Sequence, residues 1–156
     1  MTPQSDPSGH SLVSASEDGT IKVWDATKFS NYKDLLSEGN LPNYEPYVNL
    51  RGHSTPIFAL SGREDGGLVI SGGKNGKIKA WMIPPASQFV DPYGTNKDQS
   101  FCIASWDSAH SNQPVWDLKI HPYENIFLSV GADNSIGLWQ IPNSASDYSY
   151  QHLSEK

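Results

Sequence analysis

The chain has a single cysteine, Cys102, so no disulfide can close within it, and that scarcity fits a reducing compartment. No apolar run approaches the roughly 20 residues that a helix needs to cross a bilayer. The polar start, MTPQSDPSGH, does not read as a secretory signal, and no Asn-x-Ser/Thr sequon occurs. Positive charge is also scarce: 11 Lys and Arg against 17 Asp and Glu leave a net charge of −6. Nucleic acid needs a basic face to neutralise its phosphates, and an anionic membrane surface makes the same demand. These absences predict a cytoplasmic protein that binds no nucleic acid and does not insert into membranes. Sustained helical periodicity is missing as well. No Gly-rich run has the flanking strand and helix of a phosphate loop. His10, His121 and His152 share no metal-ligand spacing, so neither cofactor nor metal is expected.

What is plentiful is turn chemistry and aromatic mass, with 13 Gly, 11 Pro and 11% Phe, Trp and Tyr. In 156 residues, room for one ordinary domain, that balance predicts an all-β fold. Residues 68–81, LVISGGKNGKIKAW, read as an apolar strand, a Gly-rich turn and a second strand ending on tryptophan. The outline recurs at 12–24 (LVSASEDGTIKVW) and 127–139 (FLSVGADNSIGLW). Each copy has a serine ten residues before its tryptophan (Ser14, Ser71, Ser129) and an Asp or Asn six before it (Asp18, Asn75, Asp133). The tryptophans Trp24, Trp81 and Trp139 lie 57 and 58 residues apart, so one supersecondary unit is repeated.

Between the copies the chain alternates apolar and polar residues in short runs bounded by turns. Residues 1–10 read as loop, and strands are expected at 11–16, 20–24 and 47–51. A full cycle follows at 56–61, 68–72, 77–83 and 101–106. A second begins at 114–120, turns at His121-Pro122, and continues through 126–130 and 135–141. Stretches 26–46 and 84–100 are long polar insertions; the KDLLSEG within the first has the makings of one helical turn. A further strand is at most begun around 150–153. The repeat units are thus 11–52, 53–109 and 110–156. Four short strands per unit, repeated, describe propeller blades.

The turn entering each full cycle carries a histidine, His53 or His110, again 57 residues apart. Each cycle therefore supplies His, Ser, Asp or Asn, and Trp. On paper His110, Ser129 and Asp133, or His53, Ser71 and Asn75, resemble the set that activates a serine nucleophile. A catalytic site occurs once, whereas this set recurs and ends on an indole, which only donates hydrogen bonds. A buried network pinning strands to turns accounts for the recurrence, so no catalytic residue is assigned. The neutral Asn75 should be the weakest of the three turn anchors, because charge-assisted bonds are stronger.

Gly-His, then Ser-x-x-x-Asp, then tryptophan six residues later resembles the WD40 repeat family, and Trp24-Asp25 is its eponymous dipeptide. The other two units read Trp81-Met82 and Trp139-Gln140. NYEPYVNLRGH, SGGKNGKIKAWMIP and the Asp91-Pro92-Tyr93 loop after a Pro-rich spacer look like the first repeats of the propeller in the striatin family. The resemblance implies a non-catalytic scaffold assembling kinases and phosphatases, with protein phosphatase 2A subunits among the partners. A different WD40 adaptor, such as a ubiquitin-ligase substrate receptor, stays open beside it. So do a serine hydrolase and a truncated, non-functional product.

The first unit has Ser14, Asp18 and Trp24, but its histidine would fall before Met1, so its innermost strand is missing or degenerate. The expected architecture is a WD40 β-propeller portion of about three blades, one complete and two partial, with the ring not closed. Two surfaces are candidates for protein binding. One comprises the insertions, with Phe89, Tyr93, Tyr32 and Tyr44 as aromatic anchors or as covers folded back on the blades. The other is the rim near Phe58 and Trp116. Their neighbours Ile57 and Val115 are core, so alternation turns Phe58 and Trp116 toward the channel mouth or against the next blade's edge. Cys102, between Phe101 and Ile103, is expected to be buried and inert, and Lys74, Lys77 and Lys79 to form a solvated face.

Overall fold

Alternation with period two decides the local structure, since it puts one side of each short run in apolar contact and the other toward solvent or the next sheet. The computed structural model describes residues 11–29, 45–64, 66–84 and 101–143. Ten strands follow in chain order: β1 (Ser11–Ala15), β2 (Ile21–Asp25), β3 (Val48–Leu50), β4 (Ile57–Gly62), β5 (Leu68–Gly73), β6 (Ile78–Met82), β7 (Cys102–Trp106), β8 (Val115–Ile120), β9 (Ile126–Gly131) and β10 (Ile136–Gln140). A 3-10 turn over Ala26–Phe29 opens the first insertion; residues 30–44, with KDLLSEG, Tyr32 and Tyr44, lie outside the described residues. So do 1–10, 85–100 with Phe89 and Tyr93, and 144–156 with the strand begun near 150–153.

The strands form three antiparallel sheets, none closed into a barrel: β1-β2-β3, β4-β5-β6-β7 and β8-β9-β10. They are one complete and two partial propeller blades. The hairpins pair Ser14 with Lys22, Ser71 with Lys79, and Ser129 with Gly137, so the equivalent positions of the repeat sit at the same register. Two cores lie between the sheets. Val13, Ile21, Val23, Val48 and Leu50 of the first blade meet Ile57, Val69, Trp81 and Ile83 of the second. Ile70, Ile78, Ala80, Ala104 and Trp106 of the second meet Leu118, Ile120, Phe127 and Trp139 of the third. Strand β5 is buried along its whole length because it is covered on both sides.

Aromatic edges fill the second joint: Trp106 meets Phe127 at 5.0 Å between ring centroids in a T-shaped arrangement, and Trp139 lies 6.3 Å from Phe127. The blades approach so closely at Gly72 that a β-carbon there would sit 2.7 Å from Val115 Cγ1. Polar ties cross the same joint, with Arg63 Nη1 donating to Asn125 Oδ1 at 2.8 Å and the Ile120 amide to Ser61 Oγ at 3.2 Å.

Two expectations about side chains are corrected here. Cys102 is half-buried, not buried, because β7 is the outermost strand of its blade; burial still pushes its thiol up. The three lysines do not form one solvated face. Lys77 pairs with Asp107 at 3.2 Å and Lys79 Nζ donates to Ser105 Oγ at 3.2 Å, while Lys74 is exposed. Pairing β6 with β7 brings those partners within reach from 26 and more residues away in the chain.

Candidate functional site

In the third blade the turn before β8 carries His110 into the sheet, and the β9–β10 hairpin brings the other three members to it. Trp139 Nε1 donates to Ser129 Oγ at 2.8 Å, and Ser129 Oγ lies 2.6 Å from His110 Nε2. The far side of the ring, Nδ1, lies 2.9 Å from Asp133 Oδ1 and 3.0 Å from Ser135 Oγ. The Asp133 carboxylate only accepts, so Nδ1 donates to it, while the Ser129 oxygen accepts the indole and shares a hydrogen bond with Nε2. Hydrogen bonds from His110 and then Ser135 hold the Asp133 carboxyl below its ordinary value. The ring packs so tightly on Gly131 that any β-carbon there would collide with it.

The second blade assembles the same set with one link missing. Trp81 Nε1 donates to Ser71 Oγ at 2.8 Å and His53 Nε2 lies 2.7 Å from that oxygen. Asn75, however, turns its Oδ1 to the amide of Lys77 within its own hairpin turn, at 3.3 Å. His53 Nδ1 and Thr55 Oγ1 are both buried without a hydrogen-bond partner among the described residues. Both surround Gly73, whose β-carbon would stand 3.0 Å from His53 Nδ1 and 3.2 Å from Thr55 Oγ1. Burial, reinforced by the charges of Lys79 and Lys77, lowers the His53 pKa to about 4. The imidazole is therefore neutral at pH 7, with its Nδ1 unpartnered among the described residues.

In the first blade Trp24 Nε1 donates to Ser14 Oγ at 3.0 Å in an exposed setting. Asp18 takes the Thr20 amide at 2.8 Å and the Thr20 hydroxyl at 2.6 Å, and these bonds lower its pKa. Thr20 and Ser135 were not singled out from the sequence. Both stand two residues after the turn aspartate, and the spacing Asp-x-Ser/Thr, which the middle unit replaces with Asn75-Gly76-Lys77, was the available signal.

Phe58 and Trp116 are the other feature on which the repeat converges. The pairing of β4 with β5 skips from Ile57 to Ala59, and that of β8 with β9 from Val115 to Asp117. Each aromatic is thus the extra residue of a β-bulge, a device that re-aims a side chain. Ile57 and Val115 point into the cores while Phe58 and Trp116 are 45% and 56% exposed. Their rings stack across the blade joint, nearly parallel at 6° with centroids 5.8 Å apart. The described residues hold no group of three or more metal-ligating side chains, and no helix among them is long and apolar enough to cross a membrane.

The WD40 family model (WD domain, G-beta repeat) matches residues 4–25, 44–82 and 97–140. The chain belongs to the WD40 repeat family. Within it, the chain is similar to striatin-3 of Rattus norvegicus, 36% identical over 82% of this chain and 15% of the relative. It is similar also to the striatin homolog of Dictyostelium discoideum (30% identical, 90% of this chain, 17% of the relative) and to striatin-4 of Homo sapiens (31%, 86% and 17%). The chain therefore spans less than a fifth of the length of these curated relatives. Among solved structures, that of the computationally designed Ika8 protein superposes with a TM-score of 0.57 at 25% identity, over 84% of this chain and 30% of that one.

Proposed function

We propose that this chain is a striatin-like WD40 segment that helps assemble kinase and phosphatase complexes, protein phosphatase 2A subunits among them, in the cytoplasm. The observation that carries the reading is the stacked Phe58–Trp116 pair, delivered to solvent by matching bulges of neighbouring blades. Aromatic side chains of this kind, half-buried and pre-stacked, lose little freedom on binding and dominate hot spots. The His-Ser-Asp/Asn-Trp sets hold the blades in shape and carry out no chemistry. Ser129 and His110 are almost wholly buried, and the serine oxygen already has an indole donor and an imidazole against it. A nucleophile needs an open approach to its oxygen, which this packing denies.

Trp116→Ala, with Phe58→Ala beside it, should weaken capture of purified protein phosphatase 2A subunits by about 10-fold or more, as expected for a hot spot of about 2 kcal/mol. Circular dichroism of both variants should stay unchanged. Undiminished capture would move the binding surface elsewhere on the blades.

A further inference from the structure

The hairpin turns of the three blades share one backbone feature. The residue after the Asp or Asn takes a positive φ in each: Gly19 at 81°, Gly76 at 77° and Asn134 at 62°. In the second blade space also demands glycine, because a β-carbon on Gly76 would lie 3.0 Å from the Asn112 nitrogen and from the Gln113 oxygen. The fold thus holds glycine at position 76, and the chain puts asparagine before it. Asn75-Gly76 is the one Asn-Gly pair in the 156 residues. Asparagine is among the thermolabile side chains. A glycine after it, having no β-carbon, leaves its own amide nitrogen unshielded.

The surroundings of Asn75 suit a carboxylate. Its Oδ1 and His53 Nδ1 each stand 3.0 Å from the point that a Gly73 β-carbon would occupy, and Thr55 Oγ1 stands 3.2 Å from it. The histidine nitrogen and the threonine oxygen are buried and unpartnered among the described residues. The positive charges of Lys79 and Lys77 reach the same ring. At the matching place in the third blade, the Asp133 carboxylate meets His110 at 2.9 Å and Ser135 Oγ at 2.7 Å.

We propose that Asn75 is a site of spontaneous modification, whose deamidation to aspartate completes the His-Ser-Asp-Trp network of the second blade. The turn opens first, since in its closed form the Gly76 amide donates to the Gly73 oxygen at 3.2 Å. Local opening of this kind costs far less than unfolding the blade. The freed Gly76 nitrogen gives up its proton and bonds to Asn75 Cγ. The Cγ–Nδ2 bond breaks and ammonia leaves with that proton, giving a succinimide. Water then attacks Cγ, the Cγ–N bond breaks, and a proton returns to the Gly76 nitrogen. One amide and one water have become a carboxylate and an ammonium ion. On reclosing, the carboxylate accepts from His53 Nδ1 as Asp133 does from His110. Opening of the succinimide at the main-chain carbonyl gives isoaspartate instead, whose extra backbone methylene breaks the register of the turn.

Ageing the purified chain at mildly alkaline pH, with peptide mapping that separates aspartate from isoaspartate, tests this. Position 75 should convert about 10-fold or more faster than Asn112, Asn125 or Asn134, each followed by a residue with a side chain. In the aspartate fraction the His53 titration, followed by NMR, should move up from about 4 and coincide with that of Asn75→Asp. Asn75→Gln should age with its His53 titration unmoved, which ties the change to position 75. Conversion at position 75 no faster than at the other asparagines overturns the proposal. So does isoaspartate as the sole product, and so does an aspartate fraction whose His53 titrates as in the fresh chain.

Discussion

His53 and His110 occupy the same place in successive units and differ in what faces Nδ1. His110 has Asp133 and Ser135; His53 has neither, although Asn75 and Asp133 each accept the amide two residues on in their own turns. A buried polar nitrogen without a partner costs about 1–3 kcal/mol. The lowered His53 pKa also makes stability depend on acid. Below the unfolded value of 6.5 the unfolded chain takes up a proton that the folded chain refuses until about pH 4. Stability is therefore full above 6.5 and falls between those limits, by on the order of 2 kcal/mol once solvent screening is allowed for. Asn75→Asp supplies the missing acceptor. It should raise the His53 pKa, flatten that acid limb and stabilise the fold at pH 7 by about 1 kcal/mol. Denaturant melts at several pH values, with an NMR titration of His53, read both effects.

A serine hub joins each hairpin to its tryptophan, and its worth depends on where the hairpin sits in the stack. Ser71 is fully buried and accepts the Trp81 indole while holding His53. Ser71→Ala strands both groups in an apolar core, for an expected loss of about 2–3 kcal/mol. Ser14→Ala removes an equivalent bond in an exposed hairpin, where water replaces the hydroxyl, and should cost within about 0.5 kcal/mol. Thermal unfolding of the pair of variants measures the contrast. Equal losses would mean that the sequence repeat, and not burial, sets the energy. The bulges at Phe58 and Trp116 belong to this scale too. Alternation predicted that both side chains leave the core, but the skipped pairing that directs them outward involves strands β5 and β9 and is a property of the ladder.

Across the whole molecule the stack is held by surfaces that meet only when blades are side by side. Gly72→Val would drive a side chain into Val115 where β5 meets β8. Overpacking of that kind should cost about 1–3 kcal/mol and separate the second and third blades, read as a lowered melting temperature with loss of near-ultraviolet signal from Trp106 and Trp139. The equivalent position in the third blade is Val130, which the open face tolerates.

Much of this architecture was legible in the chain. Period-two patterning placed the ten described strands to within about two residues, the usual uncertainty of strand ends. The fixed spacing of Ser, Asp or Asn, and Trp identified the repeat, because a hairpin with a set turn length brings those positions to one register. The sequence therefore determined the secondary structure and the blade unit, but it did not single out Ser135, which joins His110 and Asp133 in the third blade. It did not determine which network would be complete. Asn75 and Asp133 both accept the amide two residues on, but only Asp133 also meets a histidine, and no local pattern decides that. Nor did it determine the partners of Lys77 and Lys79, which arrive from a strand beyond a long insertion, or the stacking of Phe58 on Trp116. Those depend on distances between elements that no local pattern specifies, and docking one blade against the next is what sets them.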